Sequence, residues 1–136
     1  RLFCLIEEGD QGRRRFRTRP DIIVRDRQSS MPVAIIDTKW KRLSPAIEDA
    51  KHGVSQTDVY QMMAYGQLYA CPDLLLLYPH HLGLGSGPFA TDYLIHGSKD
   101  RLHLRSIDVA QREVSIVADL AAMFQRWQAK KSLISD

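Results

Sequence analysis

Val33-Ala-Ile-Ile-Asp-Thr-Lys-Trp40 is the stretch whose reading decides the fold. Its β-branched, apolar centre predicts a strand over 33–40. Side chains alternate along a strand, so Asp37 and Lys39 project from one face. Working outward, the segment 17–24 closes on Ile22-Ile-Val24 and reads as the preceding strand. Ser29, Ser30 and Pro32 make the turn between them. A short buried strand over 2–6 and a polar turn around Gly9 and Gly12 come first. Downstream, Ser55-Gln-Thr-Asp58 resembles an N-terminal capping signature for a helix over 55–69, and Pro72 marks its end. A fourth strand follows over 73–78, then a loop over 79–88 with Gly83, Gly85 and Gly87. Two more strands are expected over 92–96 and 101–109, and a last amphipathic helix over 110–130. Val114, Val117, Ala121, Phe124 and Gln128 stand near heptad spacing in that helix. The order β-β-β-α-β-β-β-α predicts an α/β (α+β layered) fold. The central strands are apolar on both faces, so helices are expected on two sides of the sheet.

The 136 residues, 44% hydrophobic and 26% charged, describe one globular domain over 1–136 and exclude a disordered tail. No apolar run approaches the roughly 20 residues of a membrane span. The apolar start runs directly into Glu7 and Glu8, too short for a secretory signal. Cys4 and Cys71 make neither a disulfide framework nor a zinc site. A cytoplasmic setting without a membrane is therefore expected. A chain opening on Arg1 reads as a piece of a longer polypeptide.

Charge is unevenly spread. Residues 1–42 hold eleven Lys/Arg against six Asp/Glu, and residues 43–136 hold eight against ten. The excess is concentrated in Arg13, Arg14, Arg15, Arg17 and Arg19. Such a cluster is the electrostatic footprint of a polyanion partner, or else an Arg-rich solvated hairpin tip.

The chemistry-bearing residues lie in Arg19-Pro-Asp21, Asp37-Thr-Lys39 and Gln61-Met-Met-Ala-Tyr65. A hairpin brings Asp21 alongside the strand that carries Asp37 and Lys39. Two carboxylates can hold Mg²⁺ through oxygen and leave sites for water and phosphate. Such an ion acidifies a bound water and offsets charge on the phosphate, and a nearby lysine can orient that water. Asp58, Gln61 and Tyr65, at i, i+3 and i+7, share a helix face that can hydrogen-bond Lys39 or a phosphate. Composition alone supplies about one Asp/Glu-x-Lys pair, and the chain has two. Asp49–Lys51 stands in a polar connection and reads as solvated. Asp37–Lys39 ends an apolar strand, where burying two charges is costly without a reason.

Pro20-Asp21, Asp37-Thr-Lys39 and Gln61-x-x-x-Tyr65 together resemble the PD-(D/E)xK nuclease superfamily. The wording Arg-Pro-Asp-Ile-Ile-Val, Ile-Ile-Asp-Thr-Lys-Trp-Lys and Asp-Val-Tyr-Gln-Met-Met-Ala-Tyr-Gly resembles most the nuclease domains of the McrC family, over about residues 19–69. McrC proteins are the cleavage subunits of modified-cytosine restriction systems. The resemblance implies a restriction-endonuclease-like αβββαβ core, a mixed sheet flanked by helices, and Mg²⁺-dependent hydrolysis of DNA phosphodiesters, with Mn²⁺ as a substitute. It implies Asp21 and Asp37 as metal ligands, Lys39 as the catalytic lysine, and Gln61 and Tyr65 as supporting residues. The implied partners are double-stranded DNA, a separate AAA+ GTPase motor subunit, and a second copy for double-strand cleavage. Arg13, Arg14, Arg15, Arg17, Arg19 and Lys41 are the expected nucleic-acid contacts. The superfamily core opens with a helix, often bearing an acid, whereas this chain opens on a strand; Glu7 or Glu8 are the available substitutes. The alternatives are a repair or recombination exonuclease of the same superfamily, or a DNA-binding module of this fold that has lost catalysis.

Other features read as structural. His80 and His81 lack companion ligands and belong to a loop. Gly83-Leu-Gly85-Ser-Gly87 lacks the Lys-Ser/Thr ending and following helix of a phosphate loop. Trp40 is expected on a sheet face, Trp127 in helix packing, and Met62 and Met63 in the core. Tyr60 and Tyr69 either join the core or flank the site.

Overall fold

The computed structural model describes residues 2–6, 8, 12, 14–46 and 49–134. Its centre is a five-stranded mixed sheet. In chain order the strands of that sheet are β3 (Ile22–Arg25), β4 (Pro32–Thr38), β5 (Asp73–Pro79), β6 (Ala90–Leu94) and β7 (Arg101–Ile107), and in space they run β3-β4-β5-β7-β6. The inner pairs β4/β5 and β5/β7 are parallel, and the outer pairs β3/β4 and β6/β7 are antiparallel. Helix α1 (Gln56–Tyr69) connects β4 to β5, and α2 (Glu113–Ile134) follows β7. This is the mixed-sheet α+β architecture expected.

Both faces of the sheet are covered, which is why the centres of β4 and β5 are apolar. Ile35, Leu74, Leu76, Tyr78, Leu102 and Leu104 pack on one face with Met62, Tyr65 and Tyr69 of α1. Ala34, Ile36, Leu75, Leu77 and Ile107 pack on the other with Met123 and Trp127 of α2. Helix α1 starts where its signature puts it: the Ser55 hydroxyl accepts the Asp58 N–H at 3.3 Å. Gly66 lets the helix approach β5, since a Cβ there would stand 3.0 Å from a Leu74 methyl.

Four local expectations are corrected. The strand expected over 17–24 is divided: β2 (Arg14–Arg17) pairs antiparallel with β1 (Phe3–Ile6) in a separate two-stranded sheet, and β3 begins only at Ile22. Pro20, which has no N–H to give a ladder, lies in the break. At the first strand, expected to be buried, Leu2 and Leu5 are exposed. The small sheet's tie to the core is Tyr69, whose hydroxyl meets Thr18 Oγ1 at 2.9 Å and accepts the Leu2 N–H at 3.1 Å. Helix α2 turns Ile116, Leu120, Met123, Phe124 and Trp127 inward and leaves Val114 and Val117 exposed, so the heptad set was one step out of register. Strand β6 ends at Leu94 because Ile95 enters the turn closed by Ile95 N–H to Asp100 O, with Gly97 at φ +81°. Among the described residues no helix is long and apolar enough to cross a membrane.

Candidate active site

Strand β4 delivers Asp37 to the α1 side, in step with Ile35. Just past the strand, the Lys39 N–H still donates to Leu77 O at 2.9 Å, which keeps Lys39 in register beside β5. Asp37 and Lys39 therefore share a face, as alternation predicts, and their charged atoms lie 2.6 Å apart. Helix α1 supplies the other walls. The Lys39 ammonium also meets Asp58 Oδ1 at 3.1 Å and donates to Gln61 Oε1 at 3.0 Å. Gln61 Nε2 in turn donates to the Tyr65 hydroxyl at 3.0 Å. Each end of the Gln61 amide is thus engaged, which sets its orientation. The second Asp58 oxygen holds Lys41 at 3.2 Å.

Asp21 precedes Ile22, which pairs with Ile36, so it lies across from Asp37 on the neighbouring strand. Its Oδ2 accepts from both the backbone N–H and the hydroxyl of Thr38, each at 2.8 Å. These bonds fasten the start of β3 to the end of β4. Among the described residues no three His, Cys, Asp or Glu side chains form a metal-ligating group. The carboxylates on offer are Asp21 and Asp37, flanked by Asp58.

Electrostatics separates these groups. Burial, with the Asp21 and Asp58 charges, pushes the Asp37 carboxyl above the usual range despite Lys39. Burial also acts against the charge on Asp58, but hydrogen bonds and charges from Lys39 and Lys41 outweigh it and hold that carboxyl low. Lys39 is likewise desolvated, yet Asp37 and Asp58 together raise its pKa, so it stays an ammonium. Burial raises the Tyr65 phenol, and burial plus the Asp58 and Asp37 charges raise Tyr78. The Tyr78 hydroxyl is buried and unpartnered among the described residues.

The remaining expected residues lie outside this cage. Arg14, Arg15, Arg17 and Arg19 are exposed, and Arg13 lies outside the described residues, as does Glu7. The arginines sit on and after β2, not at a hairpin tip. Phe16 among them is 73% exposed at φ +54°. Trp40 is no sheet-face residue: it is 82% exposed, because the strand ends before it. Met62 is core but Met63 is exposed; Tyr69 is buried and Tyr60 exposed. The Asp49 carboxylate caps a turn through the Lys51 and Gly53 N–H groups. His80 bonds Ser106 and Gly85, and His81 bonds Leu43 O, both structural uses.

Two features go beyond what the sequence shows. Asp58 bonds Lys39 from the helix face expected to reach it, but its hold on Lys41 as well needs the packing of α1 on β4. On the α2 face, buried His103 joins Asp73 (3.1 Å) and Asp92 (2.8 Å) and stacks on Trp127 at 4.1 Å, while Arg105 holds Asp92 at 2.6 Å. This network ties β5, β7 and β6 together.

Compared with known families, residues 2–79 match the model of McrBC, described as a 5-methylcytosine restriction system component. That span is more than half of the chain. The chain belongs to the McrBC family. No curated protein matches it. The McrBC match runs from β1 through β5 and so takes in Asp21, Asp37, Lys39, Asp58, Gln61 and Tyr65.

Proposed function

We propose that this McrBC-family chain is a cleavage module, a Mg²⁺-dependent DNA endonuclease domain of the PD-(D/E)xK type. The observation that carries the reading is the Lys39 ammonium held among Asp37, Asp58 and Gln61 at the end of β4, with Asp21 on the adjoining strand. Such a set of charges on an otherwise apolar sheet face costs stability, and phosphodiester hydrolysis is a use for it.

The donor set fits a hard divalent cation. Two carboxylates with room for water suit Mg²⁺, which keeps several water ligands. Burial first, and then the neighbouring Asp21 and Asp58 charges, raise the Asp37 carboxyl, and a bound cation would offset both. Asp21 and Asp37 would hold the ion, which when bound acidifies a water ligand and offsets charge on the phosphate. Lys39 has its three N–H donors on Asp37, Asp58 and Gln61; the one on Asp37 would turn to the attacking water once that carboxylate holds the ion, and the ammonium would balance charge that develops on the phosphoryl oxygens. Asp58 and Gln61 keep the ammonium pointed at that place, and Tyr65 keeps Gln61 from turning. The exposed arginines and Lys41 supply contacts to the phosphates of double-stranded DNA. A GTP-driven AAA+ motor would deliver the DNA, and two copies of the domain would cut both strands.

The test is plasmid nicking by the full chain with its motor subunit, GTP and Mg²⁺, beside Mn²⁺ calorimetry of the chain alone. Asp37→Asn is expected to lower Mn²⁺ affinity by about tenfold or more and to lower nicking by at least about a hundredfold. Wild-type nicking by Asp37→Asn refutes the reading. DNA binding by the wild type without any nicking would favour a binding module that has lost catalysis.

A further inference from the structure

Trp40 has no task in the cage just described, although it stands between Lys39 and Lys41. It is 82% exposed, and no ring partner lies against it among the described residues. Trp127 shows what this fold does with an indole it packs: 7% exposed, stacked on His103 and edge-on to Phe124 at 5.1 Å. Tryptophan is highly buried on average and brings a large apolar ring surface, so leaving one open costs the domain free energy.

The surroundings of Trp40 are basic. Lys41 is more than half exposed although its ammonium reaches Asp58, and Arg42 is exposed as well. In sequence the open indole lies between two lysines whose ammoniums both meet Asp58, one residue from a charged site that would draw an anionic backbone. A nucleotide is a ligand with both such a backbone and a flat ring. Bases inside a duplex have both faces covered by their neighbours; an unpaired base offers a free face to an indole, as a duplex does only at its terminal pairs.

We infer that Trp40 is a stacking platform for an unpaired nucleobase next to the phosphate held at Asp37 and Lys39. The inference rests on the nuclease reading for the identity of that phosphate, but its own readout is binding, with nicking used only to tell the two apart. Lys41 and Arg42 offer positive charge to the backbone, and the indole holds the base. The role extends the site from recognising phosphate to recognising a locally melted strand, without base sequence, since every base has a π-face.

The experiment titrates the full chain, in EDTA, with an oligodeoxythymidylate, with a blunt duplex of the same length, and with inorganic polyphosphate, reading tryptophan fluorescence. Trp40→Phe leaves Trp127 as the one tryptophan of the 136 residues and gives the baseline. Oligodeoxythymidylate is expected to quench the wild type and not Trp40→Phe. Trp40→Ala should bind the oligonucleotide about five- to a hundredfold more weakly, Trp40→Phe should recover most of the affinity, and all three should bind polyphosphate alike. Quenching by the blunt duplex should be much weaker. Equal quenching with and without Trp40, or an equal loss of polyphosphate binding in Trp40→Ala, overturns the inference. Quenching in a chain that never nicks DNA would overturn the nuclease reading alone. Nicking without quenching would overturn the stacking role alone.

Discussion

Removing Lys39 should destabilise the domain, and the size of the loss follows from its neighbours. In Lys39→Ala, Asp37 loses the ammonium at 2.6 Å and Asp58 loses one at 3.1 Å, while Asp58 keeps Lys41 at 3.2 Å. Breaking a fully buried ion pair by deleting one partner costs about 3–5 kcal/mol, because a desolvated charge is stranded. Here the side chains of Lys39 and Asp37 retain 15% and 7% exposure, and Lys41 still neutralises Asp58, so about 2–3 kcal/mol is expected. For a domain of this size that lowers Tm by roughly 10 °C.

The dependence on pH gives the sharper check. The Lys39 pKa is raised, so its contribution is complete below the ordinary lysine range and is lost only as pH rises through the raised value. The Asp58 carboxyl is depressed, so its contribution is present above the ordinary carboxylate value and is lost as pH falls through the lowered one. At about pH 7 wild type thus enjoys the whole interaction. In Lys39→Ala the stranded charge is Asp37, whose carboxyl burial already pushes up. It takes up a proton early on acidification, so the deficit should narrow towards about pH 4.5. The assay is urea unfolding of both proteins in EDTA at the two pH values, repeated with Mg²⁺ at neutral pH. The added cation should also narrow the deficit by taking the place of the lost charge. Equal stability of the two proteins at neutral pH, or a deficit that ignores pH, would show that the cage around Lys39 carries no interaction energy.

Tyr69→Phe should cost about 1–2 kcal/mol by stripping Thr18 and Leu2 of the hydroxyl that ties the β1–β2 sheet to α1; hydrogen exchange should quicken at the Leu2 and Thr18 amides and leave those of β5 unchanged, whereas uniform quickening would refute a local tie. Replacing Arg14 and Arg17 with Ala should lower the slope of log affinity against log salt for duplex DNA by about two units, and an unchanged slope would remove β2 from the DNA contact surface.

Much of the site follows from periodicity within short stretches. Alternation puts Asp37 and Lys39 on one face, a spacing of i, i+3 and i+7 lines up Asp58, Gln61 and Tyr65, and Ser55 caps the helix that carries them. The apolar centres of β4 and β5 likewise announce a sheet covered on two sides. These are properties of a single element, governed by backbone geometry and legible without its neighbours. What the chain alone left open depends on which elements meet. Residues 17–24 divide because β2 finds β1 as a partner and Tyr69 anchors the join. The inward face of α2 is chosen by the sheet it lies on, since Val114 and Ile116 are alike in hydrophobicity and differ only in what they touch. Asp58 becomes the fork between Lys39 and Lys41 only when α1 docks beside β4, across a sequence gap of 17 to 19 residues. Trp40 is left open just past the end of β4, where no element among the described residues covers the indole. Periodicity is local, whereas burial and ion pairing are decided by non-local packing, whose chain-closure entropy and desolvation costs no single segment encodes.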